Sequence, residues 1–388
     1  MNPASPYLSL GLLLAVLSIP GAVLDAQQAP FFYPPPPAGS VTVTQDVQYG
    51  TADTLKLQMD VYRPARQAGA ASALIFFNQS VGAQRRQFAF YTRWAEAAAS
   101  KGVVAIVPDL RFGNAPADFM KLVAHLRESA SQYGIDPEAI SVYAGSGNAW
   151  TALPVLQDPS LTSIRSAVIY YGAGQVERFR LDLPILLVRA GLDRPGLNNE
   201  MGQLAAKALS QNAPVTVINH PSGYHAFEMR NDDALTRELI DATIEFVKRS
   251  TSREHQAALA KGRAEAQAAG HVTAGNYGQA ATIYAGLVQS RPEEPILRLA
   301  YGEALLNDRQ FAAACDEFEK LKGKGLGPRD LGLPAAKACL QKGDPNAAIA
   351  WLKTIPQRYL PPSTQNDPAF AALKERADFK ALFAQPSQ

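Results

Sequence analysis

What the 388-residue sequence has little of narrows its chemistry. Its 37 Lys and Arg balance 35 Asp and Glu to a formal net charge of +2, with no long block of one sign. That excludes the field by which a chain gathers nucleic acid or an anionic membrane surface. Histidine occurs five times, with no H-E-x-x-H and no pair at ligand spacing, so no metal is implied. No phosphate-binding glycine loop is present, and no cofactor is implied. Cysteine occurs twice, as Cys315 and Cys339. They either pair in an oxidising compartment or remain two small buried thiols, and neither is placed to act as a nucleophile.

The first seven residues, MNPASPY, contain no Lys or Arg, yet Leu8 to Leu24 is apolar, broken by Pro20-Gly21 and followed by LDAQQA. Ala26 or Ala29 can precede a cut, so residues 1–26 resemble a secretory signal even without the usual basic start. The expected location is periplasmic or extracellular, with no stable membrane span after cleavage. An uncleaved N-terminal anchor is the alternative, for which the stretch is short. Residues 27–40 include Pro34 to Pro37, which favour extended polyproline geometry, and read as a Pro-rich spacer.

A chain this long predicts two domains, and 47% hydrophobic residues suffice for packed cores. Over residues 41–250 short apolar runs alternate with helical stretches. The runs are ALIFF (73 to 77), VVAIV (103 to 107), ISVYA (140 to 144), SAVIYY (166 to 171), PILLVRA (184 to 190) and PVTVINH (214 to 220). Nearly continuous apolar runs of strand length are buried on both faces, as in a parallel sheet between helices. Residues 88 to 102, 118 to 134 and 198 to 212 read as helices between them. The alternation predicts an α/β doubly wound, mostly parallel sheet with ligands beyond the carboxyl ends of its strands.

From residue 255 to 388 no strand pattern remains, and an all-α region is expected. Tyr277, Phe311 and Pro345 recur at 34 residues (311−277, 345−311), as do Ala280, Ala314 and Ala348, and Tyr284, Phe318 and Leu352. Gly302 and Ala336 share the interval. This segment, over roughly 260 to 358, resembles tetratricopeptide repeats, with Pro345 standing where an aromatic is usual. The resemblance implies stacked helix pairs that engage a protein partner. A Cys315–Cys339 bridge would then join the second helix of one repeat to the first helix of the next.

VYAGSGNAW (142 to 150) raises the question of chemistry, because Ser146 stands between two glycines after an apolar run. A nucleophile on a strained strand-to-helix turn needs small neighbours, and a plain tight turn needs them too. Downstream, Asp193 follows the run PILLVRA and His225 follows the last run, at separations of 47 (193−146) and 32 (225−193).

With serine, acid and histidine in that order, residues 41–250 resemble an α/β-hydrolase of the dienelactone-hydrolase and secreted esterase branch. LKLQMDVYRPA (55 to 65) and WAEAAASKGVVAIVPDLR (94 to 111) resemble that family's opening hairpin and its first helix and following strand. The resemblance implies Ser146 as nucleophile, His225 of the HAF motif as base and Asp193 as its orienting acid. It implies an oxyanion hole from the backbone N–H of Gly147 and of Gln79 or Ser80 in the loop NQSVG. That loop departs from the family's His-Gly, and Ala144 and Asn148 depart from the outer glycines of G-x-S-x-G.

Other candidates read as structural. His220 ends its strand, and Asp182 precedes one and so lies at the wrong end of the sheet. Asp109 and Arg111 suit an ion pair or a turn bond, Arg85, Arg86 and Arg93 a solvated helix face, and Phe88, Tyr91 and Trp94 the core. The expected function is hydrolysis of a small-molecule ester through an acyl-enzyme. The repeats would recruit a partner or shield the site, and the short Ser146-to-Asp193 interval leaves no room for a large lid. The alternative is an inactive scaffold that acts through its repeats.

Overall fold

The computed structural model describes residues 30–384. The expected signal, residues 1–26, lies outside the described residues.

Eight strands form one sheet: β1 (Val41–Ala52), β2 (Leu55–Pro64), β3 (Ala71–Phe76), β4 (Val104–Pro108), β5 (Ile135–Gly145), β6 (Ile164–Tyr170), β7 (Ile185–Ala190) and β8 (Val215–His220). Their order is β1-β2-β4-β3-β5-β6-β7-β8. β2 runs antiparallel to β1 and β4, and every pairing from β4 to β8 is parallel.

Between the strands come α1 (Ala83–Arg86), α2 (Ala89–Ser100), α3 (Ala115–Glu128), α4 (Ala130–Tyr133), α5 (Asn148–Leu156), α6 (Pro195–Ser210) and α7 (Ala234–Thr251). One core holds Phe119 and Leu122 of α3, Leu153 of α5 and Met201 of α6. A second holds Trp94 and Ala98 of α2 and Ile240 and Ile244 of α7. Strand side chains alternate between faces, so Ile140, Val142 and Ala144 of β5 enter the first core and Tyr143 the second. From β3 to β7 both faces are apolar because both are covered, which is why these strands read as continuous hydrophobic runs. β8 is the edge strand, with Thr216, Val217 and Asn219 exposed, which corrects the expectation that its run is buried on both faces.

Part of the segment expected to be a spacer is docked: Phe31 to Tyr33 are half-buried, while Pro34, Pro35 and Pro37 are exposed and residues 27–29 lie outside the described residues. The Phe31 ring meets Phe90 and Trp94 edge-on at centroid distances of 6.4 and 6.1 Å. The Phe32 N–H donates to the Glu228 carbonyl at 2.7 Å, and the Tyr33 hydroxyl donates to Asp241. Three consecutive aromatics bury enough apolar area to dock the start of the segment, and the prolines after them stay largely exposed.

Beyond α7 the chain is helical: α8 (Arg253–Thr273), α9 (Tyr277–Ser290), α10 (Pro295–Asn307), α11 (Phe311–Glu319), α12 (Pro328–Gln341), α13 (Pro345–Lys353) and, after three short 3-10 turns, α14 (Ala377–Ala381). The residues recurring at 34, Tyr277, Phe311 and Pro345, begin α9, α11 and α13. Ala280, Ala314 and Ala348 are fully buried. Gly302 permits the closest approach, because a Cβ there would lie 2.6 Å from the Phe318 ring. Cys315 of α11 and Cys339 of α12 are joined as a disulfide.

Ser252 alone separates α7 from α8, and α8 lies against the amino ends of the strands. Arg253 pairs with Asp136 at 3.6 Å, Gln256 donates to the Arg165 carbonyl at 3.2 Å, and Arg263 pairs with Asp182 at 3.6 Å. Asn212 donates to the Ala266 carbonyl at 3.1 Å. Those four partners precede or begin β5, β6, β7 and β8. These contacts place the helical region's attachment at the end of the sheet opposite Ser146, so they do not support a shield over the site.

Candidate active site

β5 ends at Gly145, α5 begins at Asn148, and Ser146 takes the turn between them at φ +54°. Its N–H donates to the Tyr170 carbonyl at 3.0 Å, and its own carbonyl accepts from Ala149 N–H at 3.1 Å. A non-glycine residue at positive φ costs about 1–3 kcal/mol, and surrounding structure must hold it there. Gly172 supplies that room: a Cβ on it would stand 2.7 Å from both the Ala149 Cβ and the Ser146 carbonyl oxygen.

Asp193 lies on the turn after β7, its N–H donating to the Ala190 carbonyl at 3.1 Å. The loops after β7 and β8 are tied together by Gly191 N–H to the His220 carbonyl at 2.8 Å and Leu192 N–H to the Gly223 carbonyl at 2.9 Å. The β8 loop thereby brings His225 to Asp193, with Nδ1 2.6 Å from Asp193 Oδ2 and Nε2 2.8 Å from Ser146 Oγ. The Asp193 side chain is 2% exposed and that of His225 27%. With Nδ1–H donating to the carboxylate, Nε2 is left to accept the serine proton. Asp193 Oδ1 accepts from the Arg194 N–H at 2.7 Å, so both carboxylate oxygens are engaged.

In the loop after β3, Ser80 N–H donates to Asn78 Oδ1 at 3.1 Å, while Asn78 Nδ2 donates to the Pro108 carbonyl at 2.8 Å. Ser80 is corrected as an oxyanion donor, since its proton is already spent inside the loop. Among the described residues, the amide protons of Gln79 and Gly147 have no acceptor. The Gln79 side chain reaches α5 by accepting from Thr151 Oγ1 at 3.1 Å.

The loop is braced from below by Asp109, which accepts from Gly82 N–H at 2.8 Å and from Arg86 Nη1 at 2.6 Å. Arg86 is buried among Asp46, Asp60 and Asp109. This corrects the expectation of a solvated face, which holds only for Arg85 and Arg93. A charge in a four-residue helix has no periodicity to betray its burial. Arg111 pairs with Asp118 at 2.8 Å and not with Asp109.

His220 is fully buried, its Nε2 3.0 Å from Thr236 Oγ1 and its ring 4.8 Å from that of Phe227. It belongs to the core. Trp94 is buried, whereas Phe88 and Tyr91 are half-buried. Burial pushes the Tyr91 hydroxyl up to about 12, and an Asn148 hydrogen bond pulls the other way.

A cavity of about 430 Å³ lies beside the start of α5, lined by Trp150, Gly174, Val176, Leu204 and Lys207 among others. A larger cleft of about 650 Å³, between residues 178–181 and α8, touches none of Ser146, Asp193 and His225. Among the described residues no cluster suits a metal ion, and no helix is long and apolar enough to cross a membrane.

One antiparallel hairpin leads into a mostly parallel sheet of eight strands, with helices on both faces and an all-helical region after it. The fold is that of the α/β-hydrolases. No family model matches the chain, and no curated protein matches it. Among solved structures it is similar to brefeldin A esterase, a bacterial homologue of human hormone sensitive lipase, at 14% identity and a TM-score of 0.49, covering 58% of this chain and 82% of that one. A bacterial heroin esterase is similar at 14% identity and a TM-score of 0.46, over 55% of this chain and 85% of that one. A thermophilic esterase from the planctomycete Thermogutta terrifontis shares 20% identity at a TM-score of 0.43, over 55% and 93%.

Proposed function

We propose that the protein is an exported serine hydrolase that cleaves a carboxylic ester through an acyl-enzyme. The observation that carries this reading is the pair of hydrogen bonds, 2.8 and 2.6 Å, linking Ser146 Oγ through the His225 ring to Asp193. In the first half-reaction His225 Nε2 takes the hydroxyl proton as Oγ bonds to the ester carbon. The oxyanion is met by the Gly147 and Gln79 N–H groups. The alkoxy C–O bond then breaks, and the leaving oxygen takes the proton from His225. Water repeats the sequence on the acyl-enzyme and releases the acid.

Intact-mass measurement after treatment with a fluorophosphonate tests this. The wild type is expected to gain one adduct and Ser146→Ala none; no adduct on either overturns it and favours the scaffold reading. The helix pairs, in this proposal, form a protein-binding unit of tetratricopeptide type. Because α8 attaches away from Ser146, Ser146→Ala should capture the same partner as the wild type from the exporting compartment, and a partner lost with Ser146 would count against it.

Export is supported by the Cys315–Cys339 disulfide, which persists in oxidising compartments, and by the apolar stretch Leu8 to Leu24. N-terminal sequencing of the exported chain is expected to begin at Gln27 or Pro30; a chain beginning at Met1 would favour the anchor.

A further inference from the structure

Behind His225 lies a carboxylate that the steps above do not use. Glu228 is fully buried, three residues past His225 (228−225), in the 3-10 turn Phe227–Met229. Its Oε1 accepts from three aromatic donors in three separate segments: Trp94 Nε1 of α2 at 3.1 Å, Tyr143 hydroxyl of β5 at 3.1 Å and Tyr171 hydroxyl just after β6 at 3.2 Å. Its Oε2 has no partner among the described residues. A buried carboxylate is expensive, and apolar residues of the same size would fill the space at lower cost. Its retention therefore needs a reason that packing does not supply.

The geometry gives one. Tyr171 places its ring 4.7 Å from the His225 ring, centroid to centroid, and holds a backbone φ of +33°. A bulky residue in that region persists only when its surroundings over-determine it. Tyr143 stands on β5, three residues before Ser146 in the turn that follows it (146−143). Ala226, between His225 and Phe227, is at φ +57°. The Phe32 N–H holds the Glu228 carbonyl from behind, and Phe31 packs on Trp94.

We infer that Glu228 is a positioning residue for His225: by gripping the Tyr171 hydroxyl it holds the Tyr171 ring against the imidazole, and by gripping Tyr143 it fixes that assembly to β5, the strand that leads into the Ser146 turn. The inference rests on the proposed hydrolase reading for its catalytic meaning, so one readout is chosen that needs no turnover. The His225 ring-proton signal, assigned by its loss in His225→Gln, feels the ring current of Tyr171 and reports where the two rings stand.

Three variants separate the possibilities. Tyr171→Phe keeps the ring and deletes the hydroxyl, Glu228→Met removes the acceptor at similar length, and Glu228→Gln keeps one acceptor oxygen. Tyr171→Phe and Glu228→Met are expected to move the His225 signal and to slow fluorophosphonate labelling of Ser146 by about tenfold to a hundredfold, the scale of a small misplacement. Glu228→Gln is expected to restore most of both. The double variant Tyr171→Phe/Glu228→Met should label no more slowly than Glu228→Met alone, since both break one linkage. A His225 signal and labelling rate unchanged in Tyr171→Phe overturn the inference, even if Glu228→Met fails to fold. A wild type that is never labelled, yet whose His225 signal moves in Tyr171→Phe, sinks the hydrolase reading and leaves the positioning role standing.

Discussion

Glu228 also writes itself into the pH dependence of stability. Burial pushes its carboxyl from the ordinary 4.5 up to about 7, against hydrogen bonds from its own backbone, Trp94, Tyr171 and Tyr143 that favour the ionised form. The tyrosines facing it, Tyr143, Tyr170 and Tyr171, are themselves held well above the ordinary phenol value, chiefly by burial, so they remain neutral donors. Between pH 4.5 and about 7 the folded state binds more protons at this carboxyl than the unfolded chain. Stability therefore falls as pH rises through that window and is fully restored only below 4.5. The wild type is expected to lose up to about 3 kcal/mol relative to Glu228→Gln between pH 5 and pH 8. Thermal unfolding of both proteins at the two pH values checks this, and parallel losses would contradict it.

At the scale of elements, the turn that carries Ser146 depends on a residue from a different loop. Gly172→Ala is expected to destabilise the protein by about 1–3 kcal/mol, because its Cβ must push against Ala149 and the Ser146 carbonyl. Labelling of Ser146 should slow with it. Adding Ala149→Gly relieves one of the two contacts and should recover part of the stability, and unfolding curves that do not separate the three proteins would refute the account.

This dependence marks where sequence reasoning stops. The apolar runs that became β3 to β7 were legible because a strand covered on both faces must be apolar throughout. Ser146, Asp193 and His225 could be picked out because each follows a strand's carboxyl end, and the parallel sheet collects those ends. Gly172, Tyr171 and Glu228 left no such mark. Their importance lies in contacts between loops that are distant in sequence, and a glutamate two residues past an alanine looks like any exposed acid. Arg86 was misread for the same reason, since its three aspartates come from three other segments. Ser80 failed through chemistry that is local but invisible without coordinates, the folding back of the Asn78 side chain onto its amide.

Taken whole, the molecule is an α/β sheet domain and a set of helices that meet away from the Ser146 end of the sheet. The disulfide lies wholly within the helical stack and closes a loop with a sequence separation of 24. A crosslink of that span stabilises its domain by about 3 kcal/mol. Dithiothreitol is thus expected to lower the unfolding temperature of the helical region and leave the rate of Ser146 labelling at moderate temperature unchanged. A labelling rate that falls on reduction would mean the two regions communicate.

The docked aromatics Phe31 to Tyr33 give the protein a way to age. Phe32 lies three residues beyond Ala29 (32−29) and six beyond Ala26 (32−26), so under the proposed cleavage the tie to Glu228 begins almost where the mature chain would. An exopeptidase nibbling past that point removes none of Ser146, Asp193 and His225 and strips only the half-buried aromatics from the edge of one core. It loosens the loop behind His225 all the same, so wear at the chain's end would register first as slower labelling of Ser146 and only later as a less stable fold.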